Sequence, residues 1–263
     1  HVVLFMGNIY SKILYKLDPG GSIKFWEELL LNKIENETTN HKFSYKNEIK
    51  NIKFYTPNKF SDYRAKTLFS KEKKTIKWIE EYGGNKKVFF DVGANVGVYS
   101  IFYGLLYDAP IYAFEPSFKN LDLLKKNIIA NSLCEKVTIV PCPLSDTINE
   151  CKFLQTKNEF AAASSKIIND NSLDQKYFKT LSLSLDFLVK KKILPMPDLV
   201  KIDVDGNEML ILNSLKDEIL NHCKSLLVEV RKETLNTIQK IMEEKEYILK
   251  DTEGPNQIWV KHK

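Results

Sequence analysis

Short apolar runs followed by helix-like spacing recur along the second half of the chain. Residues 88–90, VFF, predict a buried strand, and the apolar positions 98, 99, 101, 102 and 105 predict a helix after it. Gly93 and Gly97 separate the two elements. We therefore expect a strand, a glycine turn and a helix here, a local structure that suits a nucleotide-like cofactor.

The same alternation of strand and helix continues to the C-terminus. Strands are predicted at 111–116, 137–140, 199–203 and 225–230, with helix-like spacing at 121–129 and 235–242. The turn at 254–256 predicts a hairpin between 247–249 and 258–260. This order predicts an α/β fold with a mostly parallel sheet, helices on both faces and an antiparallel C-terminal hairpin.

The first 50 residues differ from this pattern, so we divide the chain into a helical appendage (1–50) and a main α/β domain (51–263). Apolar positions 9, 13, 14 and 17 predict one helix, a break follows at 18–21, and residues 23–34 predict a second helix. Residues 35–47 are polar and predict a loop. A cap over the sheet edge, a dimerisation arm and a peripheral membrane contact all remain open for this appendage.

A second irregular segment lies inside the main α/β domain. Between residues 155 and 179 periodicity fades into a polar stretch, which predicts a lid or substrate loop, or a simple insertion.

Composition narrows the functional classes. The 263 residues are 43% hydrophobic, and the net charge of +5 comes almost wholly from scattered lysines, since Arg64 and Arg231 are the arginines. Proteins recognise nucleic-acid bases and phosphates largely through bidentate hydrogen bonds from arginine, and this chain has two arginines. We therefore expect no nucleic-acid partner. The four cysteines lack C-x-x-C spacing, and no run of 18 apolar residues occurs. We expect reduced thiols, a cytoplasmic protein and no transmembrane segment.

The glycine turn argues against a dinucleotide. Asn95 and Val98 stand where the G-x-G-x-x-G fingerprint has its second and third glycines. Asp91 precedes Gly93 by two residues, and its carboxylate suits a cationic ligand with an ammonium group better than a pyrophosphate. S-adenosylmethionine is such a ligand.

An acid at the end of the next predicted strand strengthens this interpretation. Glu115 follows the run IYAF and precedes Pro116. In doubly wound folds, an acid at this position accepts hydrogen bonds from ribose hydroxyls. The alternative is that Glu115 only caps the helix that begins near Pro116.

A second chemical centre is the segment 199–208, LVKIDVDGNE. Its candidate catalytic residues are Lys201, Asp203, Asp205 and Glu208. With S-adenosylmethionine as cofactor, the expected reaction is methyl transfer, which needs alignment and, for a hydroxyl acceptor, removal of a proton. These side chains follow a strand end, where ligands bind in such sheets. Alternatively, the acids only cap the following helix.

Two further segments carry weaker expectations. At 141–146, PCPLSD, Leu144 is expected to border an adenine ring, with a hydrogen bond from Ser145 or Asp146; an ordinary turn is equally compatible. Glu229, at the end of the predicted strand 225–230, is a possible metal ligand together with Asp203 and Asp205. We nevertheless expect no metal site.

Four segments together resemble the FkbM-like family of class I, S-adenosylmethionine-dependent methyltransferases. They are DVGANVGVYS (91–100), YAFEPSFKN (112–120), LSLSLD (181–186) and LVKIDVDGNE (199–208). The resemblance, from about residue 51 onward, implies a Rossmann-like methyltransferase sheet and transfer to a hydroxyl of a sugar, glycan or polyketide. Relatives often have histidine where this chain has Arg231, which weakens a metal or histidine-base assignment.

We therefore predict S-adenosylmethionine as cofactor and a small-molecule or glycan acceptor. The predicted cofactor-binding residues are Asp91, Gly93, Ala94, Asn95, Gly97, Glu115, Pro116, Ser145 and Asp146. Alternatives are an NAD(P)-dependent oxidoreductase, a non-catalytic scaffold and a nucleic-acid amino-methyltransferase. The last predicts an Asn/Asp-Pro-Pro-aromatic tetrad, and residues 203–206, DVDG, do not match it.

Overall fold

The structure is a computed structural model that describes residues 22–155, 159–163, 165–168 and 177–261. The helix expected around positions 9–17 and the break at 18–21 lie outside these ranges. The second helix of the predicted appendage is present as α1 (Ser22–Glu35).

A seven-stranded sheet forms the centre of the fold. Its strands are β3 (Phe89–Val92), β4 (Ile111–Phe114), β5 (Val137–Val140), β9 (Leu199–Ile202), β10 (Ser225–Glu229), β11 (Tyr247–Glu253) and β12 (Asn256–Lys261). They lie in the order β11-β12-β10-β9-β3-β4-β5. Five adjacent strands from β10 to β5 are parallel, and β12 runs antiparallel to both β10 and β11. The predicted α/β class, with its antiparallel C-terminal hairpin, is confirmed.

Helices cover both faces of this sheet. They are α2 (Lys59–Lys66), α3 (Lys73–Tyr82), α4 (Val98–Leu106), α5 (Phe118–Ala130), α6 (Leu185–Lys190), α7 (Glu208–Ser214), α8 (Asp217–His222) and α9 (Leu235–Glu244). Successive side chains of a strand point to opposite faces. Phe89 therefore belongs to one buried cluster with Trp78 of α3 and Phe102 of α4, and Phe90 belongs to another with Leu185 of α6 and Ile211 of α7. The sheet is thus buried from both sides.

The predicted loop at 35–47 is wrong over most of its length. An antiparallel hairpin occupies this region, with β1 (Thr38–Tyr45) paired to β2 (Glu48–Tyr55). Two asparagines, Asn127 of α5 and Asn131 directly after it, hold β2 by its backbone. Asn127 Oδ1 accepts from Tyr55 N (2.8 Å) and Asn131 Oδ1 from Lys53 N (2.9 Å). Strand β2 crosses the predicted domain boundary between residues 50 and 51.

A second small sheet lies in the segment expected to be a polar connection. Strand β6 (Glu150–Gln155) pairs with β7 (Ser165–Ile168) on one side and β8 (Tyr177–Leu181) on the other. The parts at 156–158, 164 and 169–176 lie outside the described ranges. None of the helices within those ranges combines the length and hydrophobicity needed to cross a bilayer.

Candidate cofactor site

The turn between β3 and α4 depends on its glycines. Gly93 has φ +82° and Gly97 has φ +84°, a left-handed conformation that L side chains rarely adopt. A Cβ atom on Gly93 would lie 1.8 Å from the carbonyl oxygen of Asp203. Gly93 therefore allows the loop after β3 to pack directly against the end of β9, its parallel neighbour.

Three consecutive backbone amides of this turn are already used within the fold. Gly93 N and Ala94 N both donate to the carbonyl oxygen of Phe114 at 3.0 Å, and Asn95 N donates to Glu115 Oε2 at 2.8 Å. A pyrophosphate site needs amides that point at the ligand. The turn therefore disfavours the dinucleotide alternative.

Asp91 supports the turn from beneath. Its side chain is fully buried, and its Oδ2 accepts hydrogen bonds from Ser100 N (3.0 Å) and Ser100 Oγ (2.6 Å) in the first turn of α4. A carboxylate at this end of a helix complements the helix dipole. Because Asp91 does not line the cavities described below, the structure places it behind the turn and not at the predicted ligand contact.

Glu115 follows β4 and is held in one orientation. Its Oε2 accepts from Asn95 N and its Oε1 accepts from Ser117 N, both at 2.8 Å, with Asn120 Nδ2 at 3.4 Å from Oε1. Burial raises the pKa of this carboxyl to about 7, although the backbone hydrogen bonds from Ser117 and Asn95 lower it. The fold thus fixes a nearly enclosed carboxylate beside the glycine turn.

A narrow cavity, cavity 1, opens between these elements. Its volume is about 60 Å³, which is room for a few water molecules. The lining includes Gly93, Asn95, Glu115, Pro116, Asn120, Leu144, Phe153, Asp203 and Asp205. Ala162 and residues 165–167 also line it, and its present volume is too small for a nucleoside.

The chemistry of this lining suits a nucleoside with hydroxyl or amine donors. In addition to the Glu115 carboxylate, the buried oxygens Asn95 Oδ1 and Asn120 Oδ1 have no hydrogen-bond partner among the described residues. Buried acceptors without donors are costly, so a ligand that donates to them would be favoured. Leu144 and Phe153 add apolar surface for a ring.

Two residues expected to contact an adenine ring lie elsewhere. Ser145 N donates to the carbonyl oxygen of Leu183 at 2.8 Å, and Ser145 Oγ donates to Asp146 Oδ1 at 3.1 Å. Neither residue lines cavity 1, whereas Cys142, Pro143 and Leu144 do. The turn itself therefore occupies the polar groups of Ser145, and Leu144 alone lies where it was expected.

A wider cavity, cavity 2, continues from cavity 1 through Gly93, Asn95, Asp203 and Asp205. Its volume is about 400 Å³. Five acids line it, together with two cations: Glu72, Asp203, Asp205, Glu229 and Glu253, with Arg64 and Lys71. This excess of carboxylates favours a cationic ligand.

Lys201 contacts Asp203, which lines cavity 2, but does not line the cavity itself. The lysine is 1% exposed, its Nζ lies 2.8 Å from Asp203 Oδ2, and it sits 5.0 Å from the centre of the Tyr99 ring. Burial alone would raise the pKa of Asp203, but the Lys201 ammonium holds that pKa below its usual value. Asp203 is therefore a stable anion, and Lys201 positions it and does not touch a ligand.

The segment after β9 separates the two remaining predicted catalytic acids. Asp205 has φ +58° and lines both cavities. Glu208 is buried, lines neither cavity, and accepts a hydrogen bond from Gly206 N at 2.8 Å. Glu208 thus stabilises the loop that contains Asp205.

Glu229, at the end of β10, contrasts with Asp203 because the pKa of Glu229 is raised, whereas that of Asp203 is lowered. It lines cavity 2, and within the described ranges no hydrogen bond or ion pair holds its carboxylate. Burial, with repulsion from Asp203, Glu208 and Asp205, raises its pKa to about 7. A half-buried carboxyl with this pKa can accept a proton near neutral pH.

The sequence suggested Glu229 only as a possible metal ligand. Among the described residues, no three histidine, cysteine or acidic side chains come together as a metal site. Its position in the sequence could have indicated a role in the site, because Glu229 ends β10 and the carboxyl ends of β9 and β10 lie side by side.

Comparison with known proteins gives one family. A family model described as "Methyltransferase FkbM domain" matches residues 91–249. The chain is 27% identical over 161 residues to the hexuronic acid methyltransferase AglP of Haloferax volcanii, covering 60% of this chain and 62% of that protein. It is 22% identical over 166 residues to methyltransferase sdnD of Sordaria araneosa, covering 53% and 64%. The alignments thus span less than two thirds of either relative.

Solved structures with a related arrangement include two methyltransferases. The FkbM methyltransferase of Methylobacillus flagellatus superposes with a TM-score of 0.47 at 12% identity, covering 77% of this chain and 55% of that one. The precorrin-6y C5,15-methyltransferase of Geobacter metallireducens gives 0.46 at 16% identity, covering 75% and 93%.

Proposed function

Because this chain belongs to the FkbM methyltransferase family, we propose that it transfers a methyl group from S-adenosylmethionine to an oxygen of a sugar, glycan or related small molecule. The observation that carries the cofactor assignment is Glu115, a carboxylate fixed by two backbone amides and directed into cavity 1. Such a group is suited to accept hydrogen bonds from both hydroxyls of a ribose.

The nucleoside of the cofactor lies in cavity 1, and its methionine part lies in cavity 2. Asn95 and Asn120 offer acceptors to the nucleoside, and Leu144 packs against its base. The Asp203 carboxylate, ionised because of Lys201, pairs with the methionine ammonium.

S-adenosylmethionine supplies an activated methyl group on a sulfonium, so the protein has to align an acceptor oxygen and remove its proton. We assign proton removal to Glu229, because Asp203 is committed to Lys201 and Glu229 is not paired among the described residues. Asp205 lies beside both cavities and helps to orient the acceptor. Lys201 and Glu208 hold these acids in place.

A sugar acceptor is supported by the name of one relative, the hexuronic acid methyltransferase of Haloferax volcanii. The test is methyl transfer from S-adenosylmethionine labelled in its methyl group to a panel of hexoses and hexuronates, followed by mass spectrometry of the products. We expect a methylated sugar and an equal amount of S-adenosylhomocysteine. Production of S-adenosylhomocysteine without any methylated panel member would contradict a sugar acceptor.

The ribose assignment predicts the effect of replacing Glu115. We expect Glu115→Ala to weaken S-adenosylmethionine binding by about 1 to 3 kcal/mol, the usual cost of losing hydrogen bonds to a charged group. Isothermal titration measures this change directly. Glu135→Ala, an exposed glutamate beyond the opposite ends of the strands, is the control and should bind as the wild type does. Unchanged affinity in Glu115→Ala would remove Glu115 from the ribose site.

The raised pKa of Glu115 predicts that cofactor binding depends on pH. Below about pH 7 the carboxyl is largely protonated, whereas ribose hydroxyls donate to the anion. Binding should therefore release a proton near pH 7, and affinity should rise as pH increases through this value. Titration at pH 7 in two buffers of different ionisation enthalpy measures the proton released, which Glu115→Gln should abolish. Equal proton release in wild type and Glu115→Gln would contradict the assignment.

A further inference from the structure

A third cavity, cavity 3, adjoins both cavities of the site and shares Ala162 with cavity 1. Its volume is about 210 Å³, below the range of about 300–1,000 Å³ typical of sites for drug-sized ligands. It shares Arg64, Lys71 and Ala163 with cavity 2. A small molecule here would therefore lie next to the reacting end of the cofactor.

The lining of cavity 3 has a different character from that of cavity 2. It consists of two aromatic rings, two cations and three alanines: Phe60, Tyr63, Arg64, Lys71, Ala161, Ala162 and Ala163. No acidic side chain is among these described lining residues, whereas five line cavity 2. The electrostatic preference thus reverses, from cationic ligands in cavity 2 to anionic ones in cavity 3.

The aromatic and cationic side chains come mainly from one rigid helix. Phe60, Tyr63 and Arg64 are spaced three and four residues apart on α2, so they share one face. The helix begins with a reciprocal cap between Asn58 and Ser61. Asn58 Nδ2 also donates to the carbonyl oxygen of Phe160 at 2.9 Å, which ties α2 to the loop on the other side of the cavity.

Arg64 has donors available to a ligand. Its Nε donates to the carbonyl oxygen of Ala161 at 3.1 Å, which orients the guanidinium. Its two terminal nitrogens make no hydrogen bond with any described residue. A planar guanidinium fixed in this way is suited to a carboxylate.

Further lysines surround the cavity. Lys59 lies 5.5 Å from the centre of the Phe60 ring and Lys119 lies 4.9 Å from that of Phe160, and the two rings pack in one cluster with Ala161. Lys71, half exposed, pairs with Glu72 at 2.9 Å. Positive charge at the mouth raises the local concentration of anions.

We propose that cavity 3 binds the methyl acceptor and that this acceptor is a carboxylated sugar. Its carboxylate pairs with Lys71 and the terminal nitrogens of Arg64, and the apolar face of its ring packs on Tyr63. This arrangement places the hydroxyls toward cavity 2 and Glu229. The inference rests on the proposed function, since it assigns the acceptor of that reaction.

The test is isothermal titration of the chain saturated with S-adenosylhomocysteine, using D-glucuronate, D-glucose and acetate as probes. We expect D-glucuronate to bind at least about tenfold more tightly than D-glucose or acetate, because only it offers both ring and carboxylate. Equal binding of D-glucose and D-glucuronate, or absence of D-glucuronate binding, would overturn the proposal. Failure of S-adenosylhomocysteine itself to bind would instead overturn the proposed function.

Variants separate the acceptor site from the cofactor site. Tyr63→Ala and Lys71→Gln should each lower D-glucuronate affinity by about tenfold, and Tyr63→Ala should leave S-adenosylhomocysteine affinity unchanged. Lys66→Gln is the matched control, because Lys66 lies on the same helix but pairs with Asp62 at 2.7 Å. If Lys71→Gln weakened only S-adenosylhomocysteine, the cation would serve the methionine carboxylate and the acceptor assignment would be wrong.

Discussion

Replacing Glu229 by glutamine is expected to lower kcat by about 10²- to 10⁴-fold, the usual contribution of a general base. Glutamine keeps the size and polarity of the side chain but cannot accept the proton of an acceptor hydroxyl. The measurement is single-turnover methyl transfer to the best sugar of the panel, with S-adenosylmethionine at saturation. Because the cofactor is saturating, the separate effect of Glu115 ionisation on affinity does not contribute.

The pH profile distinguishes a base from a residue that only shapes the cavity. In the wild type, Glu229 is protonated below about pH 7, so kcat should rise as pH increases through this value and then level off. Glu229→Gln should lose this rise as well as the rate. Glu244→Gln, an exposed glutamate on α9, is the matched control and should keep both. A Glu229→Gln rate within about threefold of the wild type, with the same pH profile, would exclude Glu229 as the base.

Replacing Gly93 by alanine is expected to lower the free energy of unfolding by about 2 to 5 kcal/mol. Left-handed backbone costs an L residue about 1–2 kcal/mol, and overpacking adds about 1–3 kcal/mol. Here the new Cβ atom would lie 1.8 Å from the Asp203 carbonyl oxygen, which is backbone and cannot rotate away. Cofactor affinity should fall too, because the loops after β3 and β9 would separate.

Gly254→Ala isolates the contribution of backbone strain. Gly254 also has positive φ, +58°, but no atom lies within 4 Å of the Cβ position. Urea denaturation of both variants should give a loss of about 1–2 kcal/mol for Gly254→Ala and a clearly larger loss for Gly93→Ala. Equal losses would mean that the two loops do not need their close contact.

The order of strands and helices was predictable because each central strand is buried on both faces. Runs such as VFF and IYAF carry a strong apolar signal, and the glycines of the turn mark its left-handed positions. The first strand of the β1–β2 hairpin was missed because it lies outside the central sheet and reads TTNHKFSY, with none of its eight residues buried. The position of the hairpin depends on Asn127 of α5 and on Asn131 directly after that helix, which no local pattern reveals.

The site was predictable where its chemistry is local in sequence. Glu115 lies directly after β4, and Asp203 directly after β9, so their place at the strand ends, where cavity 1 opens, was predictable from the sequence. The contacts of Asp91 and Lys201 could not be predicted from the sequence, because they depend on how the two side chains are buried. Asp91 accepts a hydrogen bond from Ser100, and Lys201 pairs with Asp203. The raised pKa of Glu229 likewise depends on acids from a neighbouring strand and loop.

The central claim, a methyltransferase cofactor site built around Glu115, is tested most directly by isothermal titration of the purified chain with S-adenosylmethionine, S-adenosylhomocysteine and NADH. The account predicts micromolar binding of the two adenosyl ligands and no binding of NADH, because the turn amides are used internally. Binding of NADH alone, or of none of the three ligands, would contradict it.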